Sequence, residues 1–87
     1  MTLADLRQRI DELDMEIIQL LNERAVVSLK IGEKKQEQNL SIYNSAREEE
    51  VIGKVKKKNT GPLTDENIES IFTIIINSCR TLQEKEI

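Results

Sequence analysis

From Leu3 to Leu20 the apolar residues fall in alternating steps of three and four: Leu3, Leu6, Ile10, Leu13, Ile17 and Leu20. Arg24 takes the next position of the series, which then resumes at Val27 and Ile31. A repeat averaging 3.5 residues keeps one stripe along one side of a helix, the pattern that helix–helix supercoiling uses. No proline breaks it, because the only one is Pro62. Gly32 lies inside the pattern and costs about 1 kcal/mol against Ala without ending a helix. The spacing predicts one helix from residue 3 to about residue 39. At 1.5 Å per residue, ~37 residues span roughly 55 Å. A compact chain of this length has a radius of gyration of only about 12 Å. The remainder of the chain is too short to cover the whole stripe, so the stripe predicts a second copy. The expected assembly is a homodimer whose long helices pack along each other.

Two shorter helices follow. Thr2 is placed to cap the first helix, with Asp5 three residues on at its positive end. The segment QNLSIYNSA is the first break. Asn44 or Ser45 caps a second helix over about 45–58, and Ser45 to Glu48 has the spacing of a capping box. Ala46, Val51, Ile52 and Val55 give it an apolar side, and Lys56, Lys57 and Lys58 suit its negative end. Asn59 to Leu63, with Gly61-Pro62, reads as a turn. Thr64 caps a third helix over about 64–85, with Asp65 and Glu66 in its first turn and apolar residues at Ile68, Ile71, Phe72, Ile75, Cys79 and Leu82. FTIII alone would pass for a buried strand, but the cap before it and the helical spacing after it favour helix. The fold class is all-α: three helices, one very long, in a single domain spanning 1–87.

Composition removes several function classes. The net charge is −3, whereas phosphate neutralisation favours a basic face, so no nucleic-acid partner is expected. One Phe, one Tyr and no Trp leave no platform for stacking bases. A single cysteine, Cys79, excludes an internal disulfide, and without histidine a zinc or copper site has no ligand set. No stretch approaches the ~20 apolar residues of a membrane span, and MTLADLRQRIDELD holds no run of signal-peptide length. A cytoplasmic, metal-free domain with no membrane partner is expected.

The polar residues on apolar faces carry the functional reading. A lone Arg24 in a coiled-coil seam can fix register, or can snorkel outward. Lys35 lies eleven residues further on, within about 20° of Arg24 around the helix and about 16 Å along it. Two cations on one mostly apolar face repel unless an anion lies between them. Glu23 and Glu33 flank that face and do not lie on it, so an external dianion is the natural partner. Arg47 and Glu48 open the second helix. Glu49 and Glu50 read as a solvated charge run, but a cation at a helix N-terminus opposes the dipole, which marks Arg47 for position-specific use. Gln83 shares a face with Phe72, Ile76 and Cys79, as either a satisfied core amide or a directed donor. Arg7 is seventeen residues before Arg24, roughly 25 Å away and about 100° round the helix. Within one chain it reads as a surface residue, while in an antiparallel dimer it could reach the partner's site.

Four segments, LRQRIDELD, LLNERAVVSLKIGEKK, IYNSAREEEV and IFTIIINSCRTLQ, together and in this order resemble the all-helical chorismate mutases of the AroQ class over nearly the whole chain. The resemblance implies an intertwined homodimer with two shared active sites and no cofactor. It implies that Arg24, Arg47 and the partner's Arg7 hold the two carboxylates of chorismate. Lys35 would be a ligand of a carboxylate and the ether oxygen, Gln83 the second donor to that oxygen, and Glu48 the acceptor from the ring hydroxyl. Asn44 stands where an Asp often helps bind the hydroxyl, and Cys79 where a Ser is common. The implied reaction is the Claisen rearrangement of chorismate to prephenate in aromatic amino acid biosynthesis. Such domains are often fused to other shikimate-pathway enzymes, so a fused or associated partner is expected too. Two alternatives stay open at this level: an isochorismate pyruvate lyase, and a non-catalytic or regulatory helical dimerisation module.

Overall fold

A computed structural model describes residues 1–86; Ile87, the last residue of the expected domain, lies outside them. The chain forms α1 (Leu3–Glu37), α2 (Ser45–Lys58) and α3 (Asp65–Glu86), with no strand among the described residues. FTIII lies inside α3.

Local chemistry sets each boundary. The Asp5 amide donates to Thr2 Oγ1 at 3.1 Å and the Thr2 amide donates to Asp5 Oδ2 at 3.0 Å, a reciprocal cap at the start of α1. The hydrogen bond from the Thr2 backbone, with that to its side chain, holds the Asp5 carboxyl below its ordinary range. At the other end α1 stops at Glu37, slightly short of the expected residue 39. Asn39 adopts the left-handed conformation, with φ 57°. Its amide reaches Gln36 O at 3.2 Å, and the Leu40 amide reaches Lys35 O at 2.7 Å. This is the Schellman closure, with Asn in the place that glycine most often fills.

Asn44, not Ser45, caps α2: its Oδ1 accepts from the Arg47 amide at 3.1 Å. The capping box expected from Ser45 to Glu48 does not form, since Asn44 takes the cap and Ser45 is the first helical residue; the Glu48 carboxylate instead meets Arg80 of α3 at 2.6 Å. Asn59 organises the turn after α2. It donates to Leu63 O at 2.7 Å and Asp65 Oδ1 at 3.1 Å, and accepts from the Gly61 amide at 3.1 Å. Gly61 sits at φ 80°, a conformation that favours glycine. Thr64 caps α3 as expected, accepting from the Asn67 amide at 3.1 Å.

α3 packs against both other helices, while α1 and α2 do not pack on each other. An ion pair from Lys56 to Glu69 at 2.6 Å ties α2 to α3. The arrangement measures 55 × 24 × 15 Å with a radius of gyration of 15.9 Å, well above the ~12 Å of a compact chain this size. The core is correspondingly thin: Ser28, Gly32, Ile76, Cys79 and Gln83 are the buried residues among those described. Along the stripe, Leu3, Leu6, Ile10, Ile17, Leu20, Val27 and Ile31 are 48–63% exposed. The accessible surface is 7021 Å², against roughly 5,200 Å² for a compact monomer of this mass. No helix among the described residues is long and apolar enough to cross a membrane.

Candidate active site

The middle of α1 and the last turns of α3 enclose a cleft of about 280 Å³, closed at one end by the first turns of α2. Its polar lining is Arg24, Ser28 and Lys35 from α1, Arg47 from α2, and Cys79, Arg80 and Gln83 from α3. Val27, Ile31, Val51 and Ile76 supply the apolar wall.

Each polar group is held differently. Arg24 Nη1 donates to Cys79 Sγ at 3.2 Å, which crosses from α1 to α3. Sulfur is a weak acceptor, so this contact steers the guanidinium while leaving its charge available. Lys35 Nζ donates to the Ile42 carbonyl at 2.7 Å in the connection between α1 and α2. A Lys ammonium has three donors, so two remain for a ligand. Gln83 is buried, and its Nε2 donates to the Ser28 carbonyl at 2.6 Å. A carbonyl can only accept, so this contact fixes the amide with its NH₂ toward α1 and leaves its second N–H uncommitted. Arg47 is more loosely placed. Its Nη1 meets Glu50 Oε1 at 2.7 Å on the exposed side of α2. Glu50 also accepts from Lys54 at 3.2 Å, and Lys54 first, then Arg47, holds its carboxyl below the ordinary range.

Five of the eight residues singled out in the sequence meet in this cleft: Arg24, Lys35, Arg47, Cys79 and Gln83. Three do not line it. Glu48 is engaged by Arg80. Asn44 spends its side chain on capping α2. Arg7 lies exposed in the second turn of α1, towards the far end of that helix. Two polar lining residues were missed, Ser28 and Arg80. For Arg80 the signal was available in helical phase, since Arg80 is four residues past Ile76 and three before Gln83 and so shares their side of α3.

Four cationic residues and a buried amide thus line one small cavity whose described lining holds no carboxylate, with Arg47 and Arg80 paired outside it to Glu50 and Glu48. The chain as a whole is acidic, at −3, so this positive spot is local, and low-dielectric walls focus its field on a small anion. Fold and cleft together define a small helical domain with one cavity lined by cations and hydrogen-bond donors, an arrangement that suits a small anion. The chain belongs to the chorismate mutase type II family, whose model matches residues 6–84. It is 32% identical over 84 residues to chorismate mutase of Methanocaldococcus jannaschii, covering 95% of this chain and 85% of that protein. It is 39% identical over 87 residues to the bifunctional chorismate mutase/prephenate dehydratase of Aquifex aeolicus, and spans only 24% of that protein's length. The structure superposes on chorismate mutase (form II) of Thermus thermophilus with TM-score 0.91 at 34% identity, covering 93% of this chain and 92% of that one. It superposes on the crystal structure of chorismate mutase from Helicobacter pylori in complex with prephenate with TM-score 0.87 at 34% identity, covering 95% and 90%.

Proposed function

We propose that this chain rearranges chorismate to prephenate within a cleft shared between two copies. The observation that carries the reading is the convergence of Arg24, Lys35, Arg47 and Gln83 on one cavity. The rearrangement breaks an ether C–O bond and forms a C–C bond inside one molecule, so it needs no nucleophile and no proton carrier. What it needs is a folded, near-reactive conformer and stabilisation of the negative charge that grows on the ether oxygen. Arg24 and Arg47 suit the first task, because a planar guanidinium grips a carboxylate with two bonds. Lys35 and Gln83 suit the second. Lys35 keeps two donors and Gln83 one after their contacts with Ile42 and Ser28 are counted.

Arg7 enters this site from a second copy. The surface excess of roughly 1,800 Å² over a compact monomer is what each copy would bury, roughly 3,600 Å² in total, within the class of obligate dimers. The exposed stripe of α1 supplies the apolar part of that area. Because curated relatives such as the bifunctional Aquifex aeolicus protein extend well beyond this domain, fusion to, or association with, a prephenate-processing enzyme is part of the same proposal. The test is incubation with chorismate and, separately, isochorismate, following substrate loss and identifying the product. Prephenate from chorismate is expected. Pyruvate from isochorismate with chorismate untouched would replace this reading with a lyase.

A further inference from the structure

Lys34 and Lys35 are neighbours in the last turn of α1, yet they are held differently. Lys34 Nζ meets Glu37 Oε2 at 3.5 Å, and its side chain is 72% exposed. Lys35 is half-buried and lines the cleft, and its Nζ donates to the Ile42 carbonyl at 2.7 Å. A continuous helix could not make that bond. Residue 42 would then lie roughly 10 Å further along the axis than residue 35, at about 1.5 Å per residue. The chain reverses instead at Asn39, whose φ of 57° is left-handed. The same reversal brings the Leu40 amide onto Lys35 O at 2.7 Å. Two groups of the α1–α2 connection thus close on one residue, one at its backbone and one at its ammonium. The far end of the connection is fixed too, since Asn44 caps α2. A Lys stem is flexible and loses much rotamer freedom when it is held. A carbonyl fixed between two capped helices imposes that loss before any ligand arrives.

We propose that Asn39 is a positioning residue for the reaction: its left-handed turn seats the Ile42 carbonyl against Lys35 and so fixes where the ammonium stands. This rests on the mutase reading, in which Lys35 donates to the ether oxygen. Asn39 does not itself line the cleft, so it acts on the substrate through Lys35. What matters at residue 39 is the backbone conformation. Glycine enters the left-handed region freely, asparagine more readily than most residues, and a β-branched residue least of all. The identity of residue 39 is therefore a control on Lys35 that can be turned without touching the cleft.

Asn39→Gly and Asn39→Val, each alone and combined with Lys35→Gln, test the inference, with kcat and KM for chorismate read separately and folding checked by circular dichroism. Asn39→Gly is expected to keep kcat within about twofold, because glycine holds the turn. Asn39→Val should lower kcat about tenfold to a hundredfold, the scale of a misplacement of about 1 Å, with a smaller change in KM. In the Lys35→Gln background Asn39→Val should cost less than about twofold further. An equal loss in both backgrounds would make Asn39 a structural residue and overturn the proposal. An unchanged kcat in Asn39→Val would do the same, and a raised one would show the carbonyl competing for the ammonium. A loss in Asn39→Gly as large as in Asn39→Val would overturn it too, by assigning the effect to the side chain. The side-chain ¹⁵Nζ resonance of Lys35, assigned by its loss in Lys35→Gln, decides the matter if that variant has no measurable turnover. It should stand apart from those of exposed lysines in wild type and Asn39→Gly and join them in Asn39→Val; an unmoved resonance overturns the proposal. If Asn39→Val fails to fold, Asn39→Ala takes its place with the same expected pattern. A wild-type chain inert toward chorismate removes the mutase reading and this inference together. An active wild type with an additive cycle removes the inference alone.

Discussion

Residues 3–20 and residues 24–35 belong to one helix and continue one stripe, but they are built for different neighbours. The first stretch carries Leu and Ile at every stripe position, and Leu3, Ile10, Ile17 and Leu20 are more than half exposed. The second keeps Val27 and Ile31 on the stripe but interrupts it with Arg24, and beside it carries Ser28, Gly32 and Lys35; it is there that α3 supplies Cys79 and Gln83. Ser28 and Gly32 are the only buried residues of α1. Small residues admit a neighbouring helix closely, and the cations beside them then find themselves around a cavity. One repeat can therefore run through two environments. Where the side chains are large and apolar it calls for another helix, and where they are small or charged it admits a neighbour and leaves room for a ligand.

Four perturbations test this contrast. The largest effect is expected from Arg24→Ala, which removes the central cation of the second stretch and should lower kcat by about 10²–10³-fold, the cost of deleting one preorganised electrostatic donor. Circular dichroism and sedimentation should show an unchanged helical oligomer, and retained activity would make Arg24 a register residue. The first stretch is tested by Ile10→Glu, which puts a charge into the exposed stripe. Association should weaken by at least tenfold in sedimentation equilibrium, with activity falling in step. An unaltered association constant would detach the stripe from dimer formation. The two stretches are linked by mixing inactive Arg7→Ala chains with inactive Arg24→Ala chains. With free exchange half the dimers are hybrids with one intact site each, so about a quarter of wild-type activity should return. No recovery, with exchange shown by mass spectrometry, would separate Arg7 from the cleft.

The smallest effect concerns the far end of the first stretch. Thr2→Ala should cost about 1 kcal/mol in urea unfolding, a typical N-cap loss. The Asp5 pKa is lowered in the folded chain, so its contribution is present above the unfolded carboxylate value near about 4 and is lost as pH falls through the lower folded value. The Thr2→Ala variant should have a smaller acid-linked loss of stability in that window than the wild type has.

Much of this was legible in the chain because it depends on short-range rules. Thr2 with Asp5, Thr64 and the Asn59–Leu63 turn all form where their residue types predict, since caps and turns are decided by neighbours. Arg24 and Lys35 could be placed on one side from helical phase alone, and both line the cleft. What was not legible depends on tertiary reach. Ser45 and Asn44 were equally good caps by type; Asn44 takes the cap, and Glu48 finds its partner in Arg80, 32 residues away. The end of α1 depended on Asn39 taking a left-handed conformation, an option that sequence offers to any Asn without saying which one accepts it. Arg80 was overlooked although its phase was as readable as that of Arg24. It interrupts no regular apolar repeat, and its partners Glu48, Asn77 and Tyr43 come to it from three parts of the chain.

α3 is the only helix that touches both of the others, and its contacts to α1 join residues 55 positions apart in the chain, Arg24 to Cys79 and Ser28 to Gln83. On a ribosome α1 emerges complete while its stripe still has no mate within its own polypeptide. Helix formation is local and fast, but closing this cavity waits for residue 83. Until then the nascent chain presents a long, sticky rod whose charges face water. The cleft is completed only with the final turns of α3, so a truncation a few residues before Gln83 is expected to leave nearly all of the secondary structure and an incomplete cleft.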